Sequence, residues 1–366
     1  HVSKGWFDSS VCFGEPGFEE RETISNGLKV AAASGFTDIA LNSNTYPVID
    51  SHSAISFVIS KSLNASTKLH PIGALSKDSK GIDLAELFDM KSAGSIAFGD
   101  YKKPIQNPNL LKIALQYASN FEGLVQSFPH ELKVAEKGVM NENITSTKLG
   151  LKGLPALAEE LQIVRDLFIL EYTGGKLHIP TISTRKSVEL IREAKSKKLD
   201  ISCSVAIHNL FYTDERLTDF DTNFKVTPPL RTESDCKALV EGLKDGTIDM
   251  VTSDHNPINI EHKKIEFDYA ENGTIGLESA FGALNSLFST KKTIQLLTKG
   301  KQRFAVTDLQ IKVGNQAQLS LFDPSKSYFF ENKHIVSKSK NSLFLGEKLK
   351  GTVYGVIANN NSSLAI

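Results

Sequence analysis

Lys176-Leu177-His178-Ile179, followed by an amphipathic segment from Thr184 to Lys198 and then by Asp200-Ile201-Ser202-Cys203-Ser204-Val205, reads as strand, helix, strand. Such a unit implies parallel strands with a crossover helix between them. Ser183 or Thr184 can cap that helix, and its last turn is rich in lysine, as the helix dipole favours. The pattern repeats on both sides. Phe36-Thr37-Asp38-Ile39-Ala40-Leu41 is a strand preceded by a helical pattern from Glu20 to Ser34. Leu124-Val125-Gln126-Ser127 and Asp249-Met250-Val251-Thr252-Ser253 are further strands. Helical stretches run from Leu157 to Tyr172 and from Ser234 to Asp245, the first with Leu157, Leu161, Val164, Leu167 and Phe168 at helical spacing.

Repeated β-then-α units give an α/β fold. No GxGxxG phosphate turn follows the first strand, so a closed (β/α)8 TIM-type barrel is expected rather than an open doubly wound sheet. A barrel takes about 250 residues, which leaves an accessory part in a chain of 366. After Gly300 the texture changes: Val313 to Asp323 and Gly351 to Ala358 are strands with polar turns and no helix between them. The expected division is a barrel over 1–300 and part of a small β-sandwich over 301–366.

The chain has 42 basic and 42 acidic side chains, nine histidines, three cysteines and one tryptophan. Zero formal charge argues against nucleic-acid binding, which normally shows a basic excess. No stretch approaches the ~20 apolar residues that span a bilayer, and no signal-peptide pattern opens the chain. Cys12, Cys203 and Cys236 form no CxxC pair and no disulfide scaffold. A cytoplasmic location is expected. Nine histidines would suffice for a two-metal hydrolase, so their placement matters more than their number.

In a barrel, chemistry sits where strands end and loops begin. Four such places are 7–17 (Phe7-Asp8-Ser9-Ser10-Val11-Cys12-Phe13-Gly14-Glu15-Pro16-Gly17), Asn42-Ser43-Asn44-Thr45-Tyr46-Pro47, Val226-Thr227-Pro228-Pro229-Leu230-Arg231 and Thr252-Ser253-Asp254-His255-Asn256-Pro257. Together they resemble the dihydroorotases of the amidohydrolase superfamily over nearly the whole chain. The run from Asn223 through Pro228-Pro229-Leu230-Arg231 and Ala238-Leu239-Val240-Glu241-Gly242-Leu243 to Asp245-Gly246-Thr247-Ile248-Asp249 is similar to the family's approach to a metal-binding aspartate. Gly153-Leu154-Pro155, Gly276-Leu277-Glu278 and the tail from Gly314 to Asp323 also fit. In the family the small sandwich draws strands from both termini. This chain opens where barrel strand one is expected, so the N-terminal sandwich strands are expected to be missing from it.

The resemblance implies reversible opening of a six-membered cyclic amide in pyrimidine synthesis, driven by a zinc pair that acidifies a bound water. Carried over position by position, the ligand set is altered. The His-x-His of the first strand is Ser10 and Cys12, and the arginine that would clamp the substrate carboxylate is Gly14. The next two histidines fall at Ser127 and Thr181, and a substrate-contacting histidine falls at Ile258. The family's bridge between the metals, an acidic residue or a modified lysine, maps to the region of Gly99-Asp100-Tyr101, where the resemblance offers Asp100 as a remnant carboxylate. Asp254 resembles the metal ligand and proton shuttle, and Asn44 resembles a substrate-carboxylate contact.

Each remaining group has a plain structural reading beside the functional one. Asp254 with His255 is either a remnant catalytic pair or a polar cap on the barrel mouth. Cys12 either joins Asp254 and Asp100 around one metal or is a small buried hydrophobe. His178 should point to the other face of its strand, His208 reads as a satisfied structural histidine, and His130 is separated from the site by Pro129 and a loop.

The expectation is therefore a dihydroorotase-like protein without catalysis and with no cofactor, where the family uses zinc. The resemblance offers aspartate transcarbamoylase as a structural partner, because non-catalytic relatives play that part, and a homodimer as the oligomeric state. One alternative is an active cyclic-amide hydrolase using a single zinc or none. A second is a small-molecule sensor that keeps Asn44 and the pocket.

Overall fold

The computed structural model describes residues 1–364. Eight parallel strands form one sheet: β2 (Trp6–Val11), β3 (Phe36–Leu41), β4 (Lys68–Gly73), β5 (Ala97–Phe98), β6 (Leu124–Gln126), β9 (Lys176–Ile179), β10 (Ile201–Ala206) and β11 (Met250–Thr252). They neighbour one another in that order. The two outer strands approach each other through a bridge between Val11 and His255 and through Cys12 N donating to His255 O at 2.8 Å. The buried Asp8 strengthens this seam by accepting from Thr252 Oγ1 and Ser253 N. The barrel expected from the strand–helix alternation is present.

Its strands are buried along their length, as parallel strands covered by helices must be. Thr184 caps the Arg185–Ser196 helix by accepting from Ser187 N. A short parallel pair, β7 (Met140–Asn141) with β8 (Gly153–Leu154), lies between β6 and β9 in sequence.

The small sheet has four antiparallel strands in the order β1 (Val2–Lys4), β12 (Gln318–Phe329), β13 (Lys348–Ala358), β14 (Asn361–Leu364). Here one expectation needs correcting. The chain does not open on the first barrel strand: Val2 faces Leu321 and Lys4 faces Leu319, so the N-terminus supplies a strand to the small sheet. Gly5 lets the chain cross from one sheet to the other, because a Cβ there would run into Thr37. Trp6, Phe281 and Phe322 then join the two parts, with Trp6 stacked on Phe281 at 4.9 Å and Phe281 against Phe322 at 4.9 Å. Below them the buried Asp38 accepts from Lys301 Nζ at 2.8 Å and Gln318 Nε2 at 2.7 Å, and pairs with His70 Nε2 at 2.9 Å. This end of a barrel serves stability rather than chemistry.

The Leu157–Thr173 helix departs from ordinary patterning. Helical spacing of apolar residues usually marks the buried face. In this helix the buried residues are Ala158, Glu159, Gln162, Ile163, Asp166 and Leu170, while Leu157, Leu161, Phe168 and Tyr172 are exposed. The two buried carboxylates are engaged. Glu159 accepts from Ser183 N at 2.7 Å, Thr184 N at 3.2 Å and Ser187 Oγ at 2.6 Å. Asp166 accepts from Ser127 Oγ at 2.6 Å and from Arg165 Nη2 at 2.8 Å.

Candidate functional site

The C-terminal ends of β2, β5 and β11 converge on Asp254. Its carboxylate accepts from Lys102 Nζ at 2.7 Å, from Ser10 Oγ at 3.3 Å and from Tyr101 Oη at 3.4 Å. The ion pair is out of water: 13% of the Lys102 side chain and 2% of that of Asp254 are exposed. Burial raises the Asp254 carboxyl above its ordinary range, and the Lys102 ammonium is the largest influence opposing that rise. Both residues lie in the left-handed region, with φ of 52° for Lys102 and 50° for Asp254. Non-glycine residues enter that region at an energetic cost, so the surrounding fold holds the two backbones in place.

Around this pair the expected positions separate into two groups. Ser10 and Cys12 stand beside Asp254, linked by Asn42 Nδ2, which donates to Ser10 Oγ at 3.1 Å and lies 3.6 Å from Cys12 Sγ. Burial pushes the Cys12 thiol up to about 12, so it remains protonated at neutral pH. Thr181 lines the same recess, which has free volume of about 20 Å³ among Ser9, Ser10, Gln126, Thr181, Ser204 and Asp254. That is room for about one water molecule.

The others turn away. Ser127 gives its hydroxyl to Asp166. Asp100 accepts from Leu75 N at 2.9 Å, Ser76 N at 3.1 Å and Ser76 Oγ, so its carboxylate fixes a loop. It is Tyr101, one residue on, that reaches Asp254. Asn44 is half-buried, and its Oδ1 is enclosed without a hydrogen-bond partner. Gly14 has φ of 94°, and a Cβ there would meet Phe18 O at 2.6 Å, which suits glycine and no longer side chain. Ile258 is buried.

None of the histidines discussed above hydrogen-bonds to Asp254. His178 pairs Nδ1 with Ser202 Oγ at 2.8 Å, and His255 Nδ1 accepts from Gly276 N at 3.2 Å. Burial pushes His178, His208 and His255 down to about 3, which leaves all three neutral. His130 stacks on Phe128.

Zinc takes thiolate, imidazole or carboxylate ligands. The side chains here offer neutral hydroxyls, a protonated thiol and one carboxylate already paired with an ammonium. Among the described residues no three His, Cys, Asp or Glu side chains converge into a possible metal site. The donors do not fit a zinc pair. Lys102 was absent from the sequence expectations, although its place just after β5, at the barrel mouth, is where function concentrates.

A second network lies beside the first. Arg231, fully buried at the end of the Pro228-Pro229-Leu230-Arg231 run, donates to Asn141 Oδ1 at 2.9 Å, Leu154 O at 2.9 Å and Ser183 Oγ at 3.1 Å. Its Nη2 is 3.8 Å from Glu159 Oε2. One guanidinium thus ties β7, β8 and the loop after β9 together.

Residues 2–187 match the family model described as "Dihydro-orotase-like". The chain is 38% identical to the dihydroorotase of Acetivibrio thermocellus, over 98% of this chain and 86% of that one. It is 40% identical to the dihydroorotase of Pelotomaculum thermopropionicum, over 97% and 85%. Among solved structures, the L-hydantoinase (dihydropyrimidinase) of Arthrobacter aurescens superposes with a TM-score of 0.85 at 19% identity, covering 100% of this chain and 86% of that one. The dihydropyrimidinase of Brevibacillus agri gives 0.81 at 22%, covering 98% and 83%. These likenesses, at low identity, concern the fold.

Proposed function

The chain belongs to the dihydroorotase-like family, and from that premise we propose that it is a member without hydrolytic turnover whose role in pyrimidine biosynthesis is structural. The observation that carries this reading is the buried Lys102–Asp254 pair at 2.7 Å. An ammonium lies on the carboxylate that the family resemblance assigns to metal binding and proton transfer. The ammonium competes with a metal ion for that carboxylate and lowers its affinity for a proton. The hydroxyls of Ser10 and Thr181 and the protonated Cys12 supply no replacement base. What the chain retains is the scaffold: a seamed barrel, the Arg231 clamp and the small sheet.

The partner we propose is aspartate transcarbamoylase of the same organism, the preceding enzyme of the pathway. Sedimentation velocity on an equimolar mixture at micromolar concentration should show a complex heavier than either component. Two independent boundaries across that range would remove this partner.

The names of the relatives support a different reading. Chains 38–40% identical over nearly the full length are dihydroorotases, and such names fit an active cyclic-amide hydrolase better than a silent one. On that reading Asp254 would carry the proton, and Lys102 would have to leave it during turnover.

A further inference from the structure

We propose that a cavity on the N-terminal face of the barrel, away from the recess around Asp254, binds a phosphate monoester borne by a planar apolar body, as in a nucleoside monophosphate. One wall is the Thr290–Thr298 helix, which Lys299 prolongs with helical dihedrals of φ −61° and ψ −32°. At 3.6 residues per turn Lys292, Gln295, Leu296 and Lys299 fall within about 100° of one another, so one face of this helix lines the cavity. The facing wall comes from the turn before β11, with Gly246, Ile248 and Asp249, and from Lys4 at the end of β1. The free volume is about 370 Å³, inside the ~300–1,000 Å³ range of small-molecule sites. Barrel chemistry sits at the opposite, C-terminal face, so this site stands whether or not the barrel turns over.

Charge and shape together select the ligand. Both carboxylates of the cavity are already paired: Asp249 accepts from Lys195 Nζ on its two oxygens at 2.8 and 2.7 Å, and Asp308 accepts from Lys4. Lys292 and Lys299 pair with no carboxylate among the described residues, and Lys292 Nζ donates only to Leu243 O, at 2.7 Å. Two positive charges are thus left over here, although the whole chain balances 42 basic against 42 acidic residues. A concave site lined by one sign of charge concentrates its field on an anion, and lysine holds phosphate as a point charge. The floor is apolar: Leu243, Ile248 and Leu296 are each at most 3% exposed. It suits the flat face of a heterocycle. Gln295 and Gln302, whose side-chain amides are unengaged among the described residues, offer donors and acceptors to the heterocycle's edge. A second cavity of about 320 Å³ shares Asp249, Lys299 and Gln302, which leaves room for the phosphate at Lys299.

Titration calorimetry of the full chain tests this, with uridine monophosphate and adenosine monophosphate as probes. At least one of them should saturate a single site with a Kd below about 1 mM. Inorganic phosphate and uridine should each bind at least about tenfold more weakly, since each fills one half of the site. Lys299→Gln should weaken nucleotide binding at least about fivefold, by removing a charged donor. Circular dichroism of this variant should be unchanged, because Lys299 is exposed and its ammonium holds no hydrogen bond among the described residues. Lys291→Gln is the control: Lys291 is exposed on the same helix but outside the cavity, and its loss should leave the affinity as it was. Saturation by neither nucleotide in the millimolar range overturns the proposal. Equal weakening by Lys291→Gln and Lys299→Gln also overturns it, since diffuse surface charge would then explain the binding. Inorganic phosphate held as tightly as the nucleotide overturns the apolar half of the site.

Discussion

Lys102→Ala is expected to lower the free energy of unfolding by about 3 kcal/mol near pH 8, because it leaves a buried carboxylate without its counter-charge. The loss should shrink as the pH falls. Burial already raises the Asp254 carboxyl, and Lys102 is the main influence holding it down. Without the lysine the folded-state pKa rises further above the unfolded value. A carboxyl raised in this way binds more protons in the folded state than in the unfolded one, so acidification stabilises the variant relative to wild type. Urea unfolding near pH 8 and near pH 5 measures the difference directly. Adding Asp254→Asn to the variant should abolish this extra pH dependence, since the amide does not titrate. An equal loss at both pH values would mean that Lys102 contributes only through packing of its methylenes.

The larger effect is expected at Arg231. Arg231→Ala should destabilise the fold by about 3–5 kcal/mol, the range for breaking a buried charged network from one side. The change removes the cation nearest the buried Glu159, leaves Asn141 Oδ1 without its donor and takes one of two donors from Leu154 O. Loss of a single hydrogen bond, about 1 kcal/mol, would indicate that water replaces the guanidinium. Hydrogen exchange in the variant should rise first in β7 and β8, because Arg231 is what ties them to the loop after β9.

The architecture was legible because it rests on local patterns. Strand β9 lies where the apolar run Lys176–Ile179 placed it, and Thr184 caps the helix that follows. The seam is legible only in three dimensions, since Asp8 meets Thr252 and Ser253 across most of the chain. The Leu157–Thr173 helix could be placed from its periodicity but not oriented. Spacing reveals a stripe without saying which side the barrel takes, and here Glu159 and Asp166 find their partners near Ser183 and Ser127. Strand β1 escaped notice because three residues carry too little pattern to separate them from β2.

At the site, Ser10, Thr181 and Asp254, named from the resemblance, line one recess, and Cys12 lies next to it against Asn42. The resemblance did not reveal that Ser127 and Asp100 turn elsewhere, because their direction is set by Asp166 and by the backbone of Leu75 and Ser76. Lys102 was invisible for a related reason. A lysine in a polar loop normally reads as a solvated charge, and only the fold shows it folded back onto Asp254.

That contact makes the central claim testable in one preparation: zinc content by elemental analysis, with dihydroorotate hydrolysis followed on the same zinc-supplemented sample. The Lys102–Asp254 pair and the altered donor set predict far less than one zinc per chain and no hydrolysis above the buffer rate. One or more zinc ions per chain, with turnover that disappears in Asp254→Ala, would contradict it and make this barrel a working enzyme.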